Sequence, residues 1–255
     1  QVGYKVGSDN YNAEEWALEH TIDDRQRRNA STPYDVDEAG VMLLESKQMI
    51  RQDRIWSTNF FKLGVWPHEE IGGTDFTPFN DQASEPIAVV DGQKNLMAQS
   101  TGMMPNTLVL GANVATALRS NADIVDRVKY TQKGIATLAL LAELFEVDRV
   151  VVARSVYNAA AEGATDDFTW IADPNAMWLG FIEPTPRMNA PTAIARFAWT
   201  GLIPGAMNSL GGVITRGRDS RAYSDWIHSR NAFDLKLVAP DLGIFFSNVN
   251  VPISN

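Results

Sequence analysis

The chain has 255 residues, 45% of them hydrophobic and 21% charged, the balance of an ordinary globular protein with room for one large or two modest cores. Its 31 Asp and Glu against 22 Lys and Arg leave a net charge of −9, dispersed along the chain, which argues against broad nucleic-acid binding. With no cysteine there is no disulfide, no thiolate catalysis and no Cys-type zinc site. The longest apolar run, Ile135–Phe145, falls short of the roughly 18 residues of a membrane span.

In chain order, Val2, Tyr4 and Val6 alternate with small or polar residues. A turn-rich Gly7–Asn10 follows, and then Trp16, Leu18, His20 and Ile22 alternate with Glu15, Ala17, Glu19 and Thr21. This is the pattern of half-buried strands. The segment has little apolar mass of its own and must lie on something. The start has no signal-peptide pattern and no initiator Met, which suggests a processed or incomplete product.

Asp35–Leu63 reads as one long helix, about 40 Å at 1.5 Å per residue. Asp35 serves as N-cap with Glu38 three residues on. Val36, Ala39, Leu43 and Ile50 form one apolar stripe, Met42, Met49, Trp56 and Phe60 an adjacent one, and Gly64 is the stop. Pro67–Asn80 reads as a loop.

From Glu85 helices and strands alternate. Helices are expected at Ile87–Ser100, Asn113–Arg119, Asp123–Lys129 and Leu138–Phe145, and strands at Thr107–Leu110 and Asp148–Ala153, the last one buried. From Phe168 helices cease. Strands are expected at Phe168–Ile171, Ala176–Ile182, Ile194–Trp199, Tyr223–His228, Leu235–Val238 and Ile244–Val249, separated by glycine and proline turns.

Chemistry-bearing motifs are scarce. Thr107–Leu118 has the strand–glycine–helix order of nucleotide sites, but Gly111 is followed by Ala112, Asn113, Val114 and Ala115, with no second glycine or lysine at a phosphate-loop offset. Gly111 therefore reads as a tight corner. His20 and Asp24 share a strand face while Asp23 lies on the other, too few converging ligands for a metal. Ser155 follows a strand with no base beside it. The acidic pairs Glu69–Glu70 and Asp166–Asp167 read as solvated. Two basic clusters stand out: Arg25, Arg27 and Arg28, and Arg216, Arg218 and Arg221 in the glycine-rich run GGVITRGRDSR. The second is open to three readings: phosphate binding, solvated arginines in a mobile loop, or contact with carboxylates of a neighbouring protein. Most of the seven tryptophans read as core, but Trp16 has no evident core in its own subunit and points to a partner.

The order of parts resembles the HK97-fold major capsid proteins of tailed double-stranded DNA phages. The resemblance is carried by GYKVGSDNYNAEEWALEHTIDDRQRRNA before the long helix and RIWSTNFFKLGVW at its end. It continues through PNTLVLGANVATALRSNADIVDRVKYTQKG, LLAELFEVDRVVVARSVYNAA and FDLKLVAPDLGIFF. It implies an α+β HK97-like fold: an extended-loop remnant and linker at 1–30, a peripheral domain with its spine helix at 31–84, an axial domain at 85–205, and peripheral return strands at 206–255.

The implied role is structural and not enzymatic, with no cofactor and no catalytic or metal residues. Copies would assemble into pentamers and hexamers of an icosahedral shell enclosing the genome, in the virion and, during assembly, in the host cytoplasm. Implied partners are the chain itself, portal and scaffold proteins, a decoration protein, and packaged DNA held without sequence recognition; no membrane is involved. Subunit contacts fall to Tyr4, Lys5, Trp16, Arg25, Arg27, Arg28, Arg216, Arg218 and Arg221. Lys5 is also a candidate for the lysine–asparagine crosslink of some family members. An acidic inner wall would repel packaged DNA. Two other readings stay open: an encapsulin nanocompartment, which shares the fold but packages enzymes, and an α/β enzyme built around residues 85–153.

Overall fold

The computed structural model describes residues 10–30, 35–128, 137–185, 190–203 and 212–251. Tyr4 and Lys5 lie outside these. In chain order the elements are β1 (Glu14–Asp23), α1 (Asp24–Asn29), α2 (Val36–Phe60), β2 (His68–Ile71), α3 (Pro86–Thr101), β3 (Thr107–Gly111), α4 (Ala112–Ser120), α5 (Ala122–Val128), α6 (Leu138–Phe145), β4 (Arg149–Ala153), β5 (Val156–Asn158), β6 (Phe168–Trp170), β7 (Met177–Gly180), β8 (Ile194–Ala198), β9 (Gly212–Asp219), β10 (Ser224–Leu237) and, after a 3-10 turn at Pro240–Leu242, β11 (Gly243–Ser247). They divide into two compact units: Gln1–Arg51 with Arg196–Lys236, and Gln52–Ala195 with Leu237–Asn255.

The first unit is built on a sheet in the order β1-β10-β8, with β9 also beside β10. β1 pairs antiparallel with β10 in unbroken register from Glu14↔Phe233 to Asp23↔Ser224. The alternation of Trp16, Leu18, His20 and Ile22 places all four side chains on one face. The N-terminal half of α2 packs there, with Ile22, Leu44 and Ile227 buried and Val36 and Val41 against them. The helix comes close at Gly40, where a Cβ would lie 2.8 Å from the His20 ring. Further along, Gln48 donates to the Ser229 carbonyl and accepts from the Asn231 amide.

The helix is two-sided in a way its sequence conceals. Asp35 is the cap, its carboxylate accepting from the Asp37 and Glu38 amides. The buried line is Gly40, Leu44 and Gln48, and the expected stripe residues Met42, Leu43 and Met49 face solvent. Two residues differ little in apolarity while their exposures differ wholly, so the choice of face came from the sheet.

Three further expectations are corrected. β9 occupies the run read as a glycine-rich loop; it pairs with β10 from Gly212↔Asn231 to Asp219↔Ser224. The two strands expected at Tyr223–His228 and Leu235–Val238 are one, because β1 and β9 pair through the polar middle of β10. The segment Pro67–Asn80 contains β2, which pairs parallel with β11 by its backbone despite two glutamates in its four residues.

The second unit is an α/β layer with sheet order β2-β11-β7-β3-β4. β3 and β4 are parallel, joined by the crossover α4–α5–α6, while β7 runs antiparallel to β3 and β11. Leu108, Leu110, Met177, Leu179, Ile244 and Phe246 are buried in the main core with Val90, Met97, Val114, Leu118, Leu141 and Phe145 of the helices. β4 ends the sheet order, and is half-buried, not buried as expected.

Helix ends here are closed by recognisable means. Gly102 takes φ 74 after α3 and donates to the Ala98 carbonyl. Thr137 caps α6, and Glu146 closes it at φ 51. The α6 C-terminus also receives a buried cation: Lys94 Nζ donates to the Phe145 carbonyl at 2.8 Å and meets Glu146 at 3.1 Å and Asp91 at 3.2 Å. Lys94→Met strips the Phe145 carbonyl of this donor. The expected loss is about 1–3 kcal/mol in urea unfolding, with the slope unchanged. An unchanged midpoint would make the Lys94 bond energetically idle.

Candidate functional site

The Gly111 corner is closed to ligands by the chain itself. β3 ends there and α4 begins, and the Pro174 carbonyl accepts from the Asn113 and Val114 amides at 3.0 and 3.3 Å. Those are the donors a phosphate would need. A Cβ on Gly111 would sit 2.4 Å from the Pro174 oxygen, so the glycine serves a close backbone crossing.

A half-open cleft of about 310 Å³ lies on the second unit's sheet, lined among others by Asp53, Trp56, Val109, Arg149, Val151 and Trp178. At its edge the Ser155 hydroxyl donates to Asp53 at 2.8 Å, a carboxylate beside the serine that the sequence reading missed because it lies 102 residues away. The lining contains no histidine, so the serine–imidazole–carboxylate relay is not assembled there. Among the described residues no group of three His, Asp or Glu is arranged to hold a metal. His20 packs against Gly40, and both Asp24 oxygens accept from Arg218. Asp166 and Asp167 are exposed, as expected, but the Glu69–Glu70 pair is not simply solvated. Glu69 accepts from the Gly64, Val65 and Trp66 amides, and Glu70, whose carboxyl is pushed up by burial, accepts from Gln93.

The two arginine clusters meet. Arg27 pairs with Asp37 and Asp225, and Arg218 with Asp24 and Asp225, so Asp225 bridges the clusters. The network ties α1, the start of α2, β9 and β10 within the first unit. Arg28 donates to the Asp24 carbonyl, and the Arg25 amide to Asp23. Arg216 and Arg221 are exposed on β9 and in the turn after it. No local signal announced Asp225 as the hub, since it is 198 residues from Arg27.

Trp16 stays 45% exposed, with the Arg51 guanidinium 3.5 Å over its ring. Only Trp66 and Trp178 of the seven tryptophans are buried. Burial holds Arg51 below the usual guanidinium range, consistent with a cation pressed onto aromatic surface. Large apolar side chains also face solvent elsewhere: Met42, Leu43, Met49 and Trp199 in the first unit, and Val156, Phe168 and Trp170 on the β5–β6 ribbon of the second. Apolar groups in this number and concentration mark contact surfaces more than a catalytic cleft.

No protein-family model matches the sequence. The chain is 27% identical over 166 residues to the major capsid protein of Burkholderia phage BcepMu, covering 63% of this chain and 52% of that protein. It thus spans about half of that relative's length. It is 22% identical over 255 residues to the major capsid protein of Pseudomonas phage JBD67, covering 97% of this chain and 78% of the relative. Among solved structures, a phage-related protein from Bordetella bronchiseptica RB50 matches with TM-score 0.80 and 21% identity, over 97% of this chain and 80% of that one. The SrpI encapsulin of Synechococcus elongatus matches with TM-score 0.53 and 11% identity, over 96% and 77%. The fold is therefore the α+β, HK97-like fold of phage capsid subunits.

The arginine network carries a pH signature. Hydrogen bonds from Arg218 hold the Asp24 and Asp225 carboxyls below their ordinary 3.8, and Arg27 adds to this at Asp225. Both groups have depressed folded-state values, so their contribution is present above 3.8 and is lost as pH falls through the lower folded values. Thermal melts of the wild type and Asp225→Asn should differ at pH 7, with the variant lower, and should begin to converge only as pH falls below the ordinary 3.8 toward the depressed folded values. Curves that stay parallel into acid would remove the network from the stability of this unit.

Proposed function

We propose that this HK97-like chain is the major capsid protein of a double-stranded DNA phage, and that its work is to assemble into pentamers and hexamers of an icosahedral shell. The reading is carried by the match in fold to a phage-related protein over 97% of this chain, together with two relatives named as major capsid proteins. In this reading Asp35–Leu63 is the spine helix of a peripheral domain, Glu85 to about Gly205 the axial domain, and the first thirty residues the extended-loop remnant and linker.

The physical chemistry is consistent with this role. A shell subunit closes rings by head-to-tail contacts, and rings of five and six close a surface. Such a subunit buries apolar surface against its neighbours, which gives a purpose to Trp16 and to the exposed methionines of α2. Arg25, Arg28, Arg216 and Arg221 supply positive charge to an acidic chain that binds copies of itself, whereas Arg27 and Arg218 are held by carboxylates within the unit. Tyr4 and Lys5 are assigned to the same contacts from the sequence alone. A net charge of −9 suits an inner wall that repels packaged DNA. Portal, scaffold and decoration proteins are the further partners this role requires, and the mature location is the virion.

Electron microscopy of the purified native particle, with nuclease-protected DNA assayed on the same fraction, tests the proposal. Closed shells holding protected DNA are expected. Shells holding protein cargo and no DNA would transfer the chain to the encapsulin class, and a monodisperse monomer would return attention to the Asp53 cleft. Within the proposal, Trp16→Ala should lower shell yield at least tenfold while circular dichroism of the isolated subunit stays unchanged, because about 1.4 kcal/mol per contact is already tenfold in affinity. Normal assembly of that variant would free Trp16 from any interface role.

A further inference from the structure

The first unit's sheet has two long edges. On one side of β10 lies β1, and on the other lies β9. Both ladders run without a bulge, and neither β1 nor β9 contains proline or lysine, the usual means of blunting an edge. Among the described residues, no strand pairs with the outer edge of either. Each outer edge presents alternate backbone N–H and C=O groups, which is a template for another strand.

The charges on the two edges differ. β1 carries Glu14, Glu15, Glu19 and Asp23 with no Lys or Arg, and β9 carries Arg216 and Arg218 with a single carboxylate, Asp219. Two β1 edges laid together would set carboxylates against carboxylates, and two β9 edges would bring the exposed Arg216 side chains together, Arg218 being held by Asp24 and Asp225. Like charges directly opposite are destabilising in a sheet. Pairing β1 with β9 avoids both. That contact is heterologous, the kind that repeats head to tail and closes into rings.

We infer that the outer edge of β1 in one copy pairs, strand to strand, with the Val213–Asp219 edge of β9 in the next copy, so that the sheet runs continuously between subunits. The inference rests on the proposed shell-forming role and supplies its contact. The face carrying Ala17 and Glu19 on β1 is the same face that carries Val213 and Thr215 on β9, because both sets pair with Arg230 and His228.

The absence of cysteine makes the contact directly readable. Three single variants of the full-length protein are made: Ala17→Cys on β1, and Val213→Cys and Thr215→Cys on β9. Directly paired residues sit about 4.5–5.5 Å apart at Cα, within disulfide reach. Under mild oxidation each variant alone should stay monomeric on a non-reducing gel. Ala17→Cys mixed with one of the β9 variants should give a covalent dimer, and the double variant a ladder to five and six subunits. Thermal melts check that each variant is folded. Dimerisation of Ala17→Cys by itself, which signals β1 against β1, would overturn the inference. So would shells that form from every mixture with no crosslink; the shell role would then stand. If the unaltered protein forms no shells, the shell role fails, and the mixed-variant dimer still reads the edge contact by itself.

Discussion

Ten consecutive backbone pairs hold β1 to β10, and the first unit depends on them. Among the described residues two of its apolar clusters are small: Ile22, Leu44 and Ile227 in one, Ile203 and Ala232 in another. Clusters of this size bury too little surface to fix a strand by the hydrophobic effect alone. The ladder and the polar clamps around it do the fixing. Arg27 and Arg218 share Asp225 at one end, Glu15 meets Arg230 and Glu19 meets His228 along the strand, and Gln48 of α2 reaches Ser229 and Asn231. The Glu19 carboxyl is held below its ordinary value first by the His228 hydrogen bond, and Trp226 stacks on that histidine ring. The sheet is thus ordered by pairing across about 200 residues of sequence, and among the described residues no strand pairs with its two outer edges.

The second unit is organised differently. Its sheet is sandwiched between an aliphatic helical layer and an aromatic one, in which Trp66 packs on Trp178 and Phe61 on Phe245. Backbone crosses closely where side chains are absent: the Trp66 ring would lie 2.1 Å from a Cβ on Gly243, and the Pro174 carbonyl 2.4 Å from one on Gly111. Where groups capable of chemistry do meet, at Ser155 and Asp53, the geometry lacks the third member that would move a proton.

In the proposed shell, the densely packed second unit and the thin, edge-bearing sheet would answer different needs. The dense core would keep its shape while contacts form, and the inferred edge pairing would supply directional hydrogen bonds with partners selected by charge. Directionality matters because a contact that tolerates only one order of partners can close rings, whereas a symmetric one stops at dimers.

Much of this was legible in the sequence, for local reasons. The caps at Asp35, Thr137 and Gly102 declare where helices begin and end, and the alternation from Trp16 to Ile22 declares a strand with one inward face. The corner at Gly111 was readable from the missing second glycine. What the tertiary structure alone decided depends on partners distant in sequence. The buried face of α2 fell to Leu44 over Leu43 because Ile22 and Ile227 lie beneath it. GGVITRGRDSR became β9 because β10 offers its backbone, and Trp226 lies over Gly217, where a side chain would collide. Arg27 and Arg218, read as surface patches, were claimed by Asp225, and Ser155 by Asp53. Periodicity and capping act within a few residues, so sequence alone determined them. The β1–β10 pairing, the Arg27–Asp225 pair and the Ser155–Asp53 contact each join segments more than 100 residues apart, so only the folded chain could decide them.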